Sequence, residues 1–262
     1  PPPHPPPLHP RTPLQHPSHP PTNNHIPLPT RETTSRWAEM TPDTFRFVCK
    51  LPRTISHDRR LRDTEAVARF FDALEPLGDR LGLAWVQLPA SFGPDELPTL
   101  GRFLGHAAQQ SSWAVEVRHP AFAAGATHER ALDDLLREFG VDRVLFDTRA
   151  LFSGPCSTPH EVEAFERKPR LAVRPIALGR HPVVRFLGRS DDAENPNWWS
   201  PWVPKLAQWI TEGREPYWFM HTPDNATSIA QARQVHAAVA AQVEGLRPLP
   251  EPAADPDQLR LL

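Results

Sequence analysis

The feature that most constrains this chain is a repeat: six short apolar runs, with stretches long enough for a helix between them. The runs are FRFVCKL (45–51), LAWVQLP (83–89), WAVEVRH (113–119), RVLFDT (143–148), PVVRFLG (182–188) and YWFMHT (217–222). Each has the length and the β-branched or aromatic content of a strand. Residues 63–75, 95–110, 128–139, 201–212 and 227–243 read as helices, and 32–40 adds a short one before the first run. Gly140 and Gly213 stand where helices should stop, because glycine accepts the left-handed backbone of a helix end. A strand followed by a helix, repeated, implies an α/β fold with a parallel sheet and right-handed crossovers.

Size and charge fit a globular protein with no obvious polyanionic partner. The 262 residues are 39% hydrophobic, enough for a real core, and the formal net charge is -2. That balance gives no long-range field to hold nucleic acid or a membrane, although a local basic patch can still exist. No apolar run approaches a membrane span and no secretory signal opens the chain, so a cytoplasmic protein without a membrane partner is expected. Cys49 and Cys156 have no metal-type spacing, and no metal site is expected from them. Residues 1–29 carry over a third of the 34 prolines together with five histidines, which predicts a disordered or polyproline-like tail. Residues 30–245 are expected to form the folded domain, and 246–262 a C-terminal tail.

The strands also end alike. Each opens with apolar residues and finishes with a polar one: Lys50, Gln87, Glu116 with Arg118, Asp147, Arg185 followed by Arg189, and His221 followed by Asp224. Parallel α/β folds place their ligands at the carboxyl ends of strands, so these groups are expected to converge. Glu116 and Arg118 have the same parity and must share a face. Burying them against helices would be costly, so that face is the interior.

At these residues the chain resembles the YecE-like proteins, a domain-of-unknown-function family (number seventy-two). The runs FRFVCKLPRTISHD, LGLAWVQLPASF, WAVEVRHPAF, VVRFLGR and YWFMHTPDN carry the resemblance. It implies a TIM-type (β/α) barrel with no established activity, and it carries over Lys50, Gln87, Glu116, Arg118 and Arg185 as recurring polar positions. The first strands of that family, with their Gly-Thr-Ser-Gly-Trp motif, have no counterpart here. An incomplete barrel of about six of eight strands is therefore expected, and an inactive truncated fragment is one reading of it.

Two working functions follow. In the first, an enzyme of hydrolase or isomerase type acts on a phosphorylated or otherwise anionic ligand. Glu116, Asp147 and His221 are its candidate catalytic groups; Lys50, Gln87, Arg118, Arg185, Arg189 and Asp224 are its candidate ligand contacts. In the second, a non-catalytic protein binds nucleic acid or another anionic ligand, with the Pro-rich loop 153–181 and its RKPR run as a clamp. The bland alternative is structural: Glu116 with Arg118 as a salt bridge, Lys50 and Arg185 as rim ion pairs, and the Trp198, Trp199, Trp202 and Trp209 set as a packing face. The chain has no GxGxxG, GxxxxGK[ST], GxSxG or HExxH motif, so the cofactor stays unassigned.

Overall fold

The structure is a computed structural model describing residues 28–250. Except for Leu28 and Pro29, the segment expected as an N-terminal tail lies outside the described residues, as do residues 251–262 of the C-terminal one. Leu28 packs against the core, and Leu246 is buried in it.

Six strands form one sheet: β1 (Phe47–Lys50), β2 (Leu81–Gln87), β3 (Trp113–Glu116), β4 (Asp142–Asp147), β5 (Val183–Leu187) and β6 (Tyr217–His221). Their spatial order is their chain order, and every neighbouring pair is parallel. Among the described residues β1 and β6 are the sheet's two edges. The described residues also hold eight α-helices, α1 (Arg31–Glu39), α2 (Thr64–Leu74), α3 (Leu97–Ala107), α4 (Glu129–Glu138), α5 (Pro159–Arg167), α6 (Asn195–Trp199), α7 (Trp202–Thr211) and α8 (Ser228–Ala240). Gly140 and Gly213, at φ 64° and 80°, follow α4 and α7 as the sequence requires.

Period-two alternation divides the side chains into two sets. Outward residues such as Val86, Trp113 and Val115 pack on the helices in one cluster, and Leu145, Val184, Phe186 and Met220 pack with α7 and α8 in another. Trp199, Trp202 and Trp209 belong to that second cluster, with Trp198 packed against it; the tryptophan set is a packing face. Inward residues form a separate layer: Leu83, Trp85, Ala114, Val144, Val183, Tyr217 and Phe219. The sheet is curled into part of a barrel, because side chains of non-adjacent strands meet across this layer. The rings of Trp85 on β2 and Phe219 on β6 are 5.2 Å apart. A Cβ added at Gly82 would stand 2.5 Å from the Tyr217 hydroxyl, so glycine at the start of β2 leaves room for the β6 tyrosine.

The segment expected as a continuous loop over 153–181 instead contains α5. Thr158 caps it by accepting from the Glu161 backbone N–H at 3.1 Å, and Pro159 occupies its first turn. Flanking prolines disguised a nine-residue helix whose start signal, a threonine followed three residues later by glutamate, is present in the sequence.

Candidate functional site

The inward strand ends of β1, β2, β3 and β5 meet above the apolar layer. Glu116, at the end of β3, is fully buried. Its Oε1 accepts from Arg118 Nε at 3.0 Å, and its Oε2 from Arg185 Nη1 at 3.1 Å. Gln87, at the end of β2, turns Oε1 toward two donors, Lys50 Nζ at 2.7 Å and Arg118 Nη2 at 3.0 Å. Phe146, the inward residue of β4, lies beneath both guanidiniums, at 4.7 Å from Arg185 Cζ and 5.7 Å from Arg118 Cζ. Arg185 also stands 5.7 Å from the Trp85 ring. Aromatic faces favour cations, so these rings help hold the two arginines in the interior.

Charge is unevenly matched in this cluster. Burial alone would raise the Glu116 carboxyl, but Arg185, Arg118 and Lys50 together hold it below the usual carboxylate range, so it is ionised. Lys50 is exposed along the edge strand, yet its ammonium is lowered to about 8. Desolvation is the main cause, with Glu116 opposing it and Arg185, Arg118 and Lys168 adding repulsion. Lys168, which follows α5, is also lowered to about 8, by burial and then by Arg185 and Arg118. Four cations thus share one carboxylate.

His221 ends β6 on the same side. Burial first, and Arg185 next, depress its imidazole to about 3 against a hydrogen bond with Asn225, so it is neutral at ordinary pH. His57, in the turn Thr54–Asp58 after β1, is depressed to about 4 by burial and then by Arg53, Lys50 and Arg118. Its Nδ1 is 2.9 Å from Ser56 Oγ.

Three expected site residues lie elsewhere. Asp147 shares the parity of Leu145 rather than of Phe146, so it faces the helices. It is fully buried there, accepting from Trp202 Nε1 of α7 at 2.8 Å and from Arg149 Nη2 at 2.7 Å. Arg189 is buried against α5, donating to Glu161 Oε2 at 3.1 Å and to the Pro155 carbonyl at 2.5 Å. Asp224 is exposed and caps a turn, accepting from the Ala226 N–H at 3.0 Å and from the Thr222 hydroxyl at 3.3 Å. Each follows a strand's last inward position by an odd count or lies beyond the strand, where nothing directs a side chain inward.

Sequence reasoning missed Lys168, His57, Trp85 and Phe146 as site residues. Lys168 lies in the RKPR run, whose basic residues suggest a clamp on a polyanion and carry no strand parity that would place one of them in the mouth. Phe146 and Trp85 carry the inward parity of their strands, but as apolar residues they resemble core. Among the described residues no group of three or more His, Cys, Asp or Glu is gathered as a metal site would need. Cys49 faces the helices, and burial pushes its thiol to about 12.

A curled parallel sheet with a polar cluster at its strand ends defines the chain as a (β/α)-barrel type protein with a candidate site in the barrel mouth. The model of the family described as "Protein of unknown function DUF72" matches residues 24–256, and the chain belongs to that family. It is 40% identical over 209 residues to the UPF0759 protein YecE of Escherichia coli strain K12, covering 79% of this chain and 75% of that one. The YecE protein of Escherichia coli O157:H7 is 39% identical with the same coverage. Two crystal structures of a DUF72 family protein from Enterococcus faecalis V583 share the fold, with TM-scores of 0.60 and 0.57 at 16% and 17% identity. They cover 87% and 80% of this chain and 86% of their own chains. No helix among the described residues is long and apolar enough to cross a membrane.

Proposed function

We propose that the barrel mouth binds an anionic, phosphate-bearing small molecule and that the protein is an enzyme of hydrolase or isomerase type acting on it. The carrying observation is the charge imbalance: Lys50, Arg118, Arg185 and Lys168 surround Glu116 alone. A group of cations at the carboxyl ends of parallel strands, over an apolar floor, suits an oxyanion with several acceptors. Arg185 Nε and Trp85 Nε1 are buried donors without a hydrogen-bond partner, so the interior has donors left to give. Proton transfer falls to Lys50, while His221, neutral at ordinary pH, offers the ligand an uncharged hydrogen-bonding ring. Glu116 is held by two arginines and serves as their electrostatic anchor rather than as an acid. We place the protein in the cytoplasm, where its free cysteines, Cys49 and Cys156, would stay reduced.

Thermal unfolding of the full chain with inorganic phosphate, pyrophosphate, phosphosugars and a short oligonucleotide tests the reading. The small phosphates are expected to raise the midpoint by binding the folded state. Arg185→Ala should remove about 1.5–3 kcal/mol of that stabilisation, relative to its own ligand-free baseline. Salt should weaken the effect, since contacts at an open mouth are screened. A response to the oligonucleotide alone would favour a nucleic-acid binding protein instead, and no response to any of them would reject the anion site.

A further inference from the structure

The chain spends its cations unevenly. Of its 29 lysines and arginines only three are lysines, Lys50, Lys168 and Lys205, yet two of the three meet in the barrel mouth. Arginine is the better residue for holding an anion through paired hydrogen bonds, and this chain uses it almost everywhere. What lysine alone offers is an amine that can lose its proton and act as a nucleophile.

Lys50 has the surroundings for that role. It stands at the end of β1, where the strand fixes its backbone, and donates to Gln87 Oε1 at 2.7 Å. Gln87 is a neutral acceptor, and among the described residues no carboxylate oxygen lies within 4 Å of Lys50 Nζ to pin it as an ammonium. The charged groups facing it are Glu116 on β3, Arg118 just beyond β3, Arg185 on β5 and Lys168 after α5, with His57 nearby in the turn after β1. Three of the four formal charges repel an ammonium.

We propose that Lys50 is an imine-forming amine and that the anionic ligand of the mouth carries an aldehyde or ketone. This rests on the anion site proposed above and narrows its substrate class. Arg118, Arg185 and Lys168 hold the anionic group while the unprotonated Lys50 Nζ attacks the carbonyl carbon. A C–N bond forms, the carbonyl π pair moves to oxygen, and one N–H proton passes from nitrogen to that oxygen to give the neutral carbinolamine. The carbinolamine hydroxyl then takes a proton from solvent and leaves as water while the nitrogen lone pair forms the C=N bond, and the second N–H proton returns to solvent. No oxidant or reductant is consumed. Lys50 is favoured over Lys168 because a strand end holds a nucleophile in place better than the loop after α5. With a pKa of about 8, about a quarter of Lys50 is neutral at pH 7.5, against about one part in a thousand for an ordinary lysine.

The test treats the full chain with pyridoxal 5′-phosphate, used as an anionic aldehyde probe, traps the imine with borohydride and maps the modified lysine by peptide mass. The expected result is a reduced adduct on Lys50 forming at least ten times faster than on Lys205, half-maximal near pH 8 and suppressed by inorganic phosphate. An adduct mainly on Lys168 or Lys205, equal labelling of all three, or a half-maximum near pH 10 overturns the proposal. Lys205→Arg, outside the mouth, should leave both the adduct and the phosphate shift unchanged, whereas Lys50→Arg should abolish the adduct. If that variant fails to fold, the wild-type map and pH profile decide alone. A phosphate shift without a Lys50 adduct refutes the imine and leaves the anion site standing, whereas no phosphate shift refutes the anion site itself.

Discussion

Glu116 and Arg185 belong to β3 and β5, with β4 between them, and still meet at 3.1 Å. They can do so because the sheet curls and because the inward residue of the intervening strand is Phe146, whose ring lies under the Arg185 guanidinium instead of competing for its charge. The carboxylate therefore joins two arginines that no strand pairing brings together. A buried ion pair of this kind is weak support for stability when intact but costly when one partner is removed.

Glu116→Gln is expected to destabilise the folded protein by about 3 kcal/mol in anion-free buffer, because Arg118 and Arg185 are left repelling each other in the interior. The unfolding midpoint should drop by roughly 6 °C or more for a domain of this size. The same change makes the mouth more positive, so the stabilisation by inorganic phosphate should grow. A variant that unfolds at the wild-type temperature, or that responds less to phosphate, contradicts the role of Glu116 as the anchor of the cation cluster.

Asp147 gives the opposite pattern. It is fully buried on the helix side, where its oxygens take donors from Trp202 and Arg149. In Asp147→Asn an amide group faces one of those donors and the charge opposing Arg149 is gone, so a loss of about 2 kcal/mol is expected. The phosphate response should remain at its wild-type size. Urea unfolding with and without phosphate separates the two effects, and a diminished phosphate response would return Asp147 to the site.

Much of this architecture was legible because two periodicities do not overlap. All six strands and six of the eight described helices stand within a few residues of the positions that apolar runs and glycine stops indicate, α5 and α6 being the exceptions. The inward placement of Glu116 and Arg118 followed from parity, since Val115 and Val117 pack with the helices. Parity is less telling for Asp147: in DRVLFD, buried throughout, each face carries both apolar and charged residues and neither advertises itself as the interior. Arg189 and Asp224 were assigned from nearness to a strand end, but beyond the strand the backbone turns away, and local partners such as Glu161 and Ala226 claim them. Lys168 follows α5 instead of ending a strand, so no strand parity announces that its charge acts on Arg118 and Arg185.

The last expectation concerns pH and His221. In the folded protein burial, and then the charge of Arg185, hold its imidazole at about 3, whereas an unfolded chain presents a histidine with a pKa of about 6.5. Between those values the unfolded state binds a proton that the folded state refuses. Stability is thus full above about pH 6.5 and is lost as the pH falls toward 3. At pH 5 the difference amounts to about 2 kcal/mol from this residue. His57, depressed to about 4 mainly by burial, acts with the same sign, so its contribution should persist when His221 is replaced. His221→Gln removes the titrating group while keeping a polar side chain beside Asn225. The loss of stability between pH 7 and pH 5, measured by urea unfolding, should therefore be about 2 kcal/mol smaller in the variant than in the wild type. Equal losses in the two proteins would mean that His221 is protonated in the fold at pH 5, and a cationic imidazole beside Arg185 would remove it as the neutral hydrogen-bonding ring of the mouth.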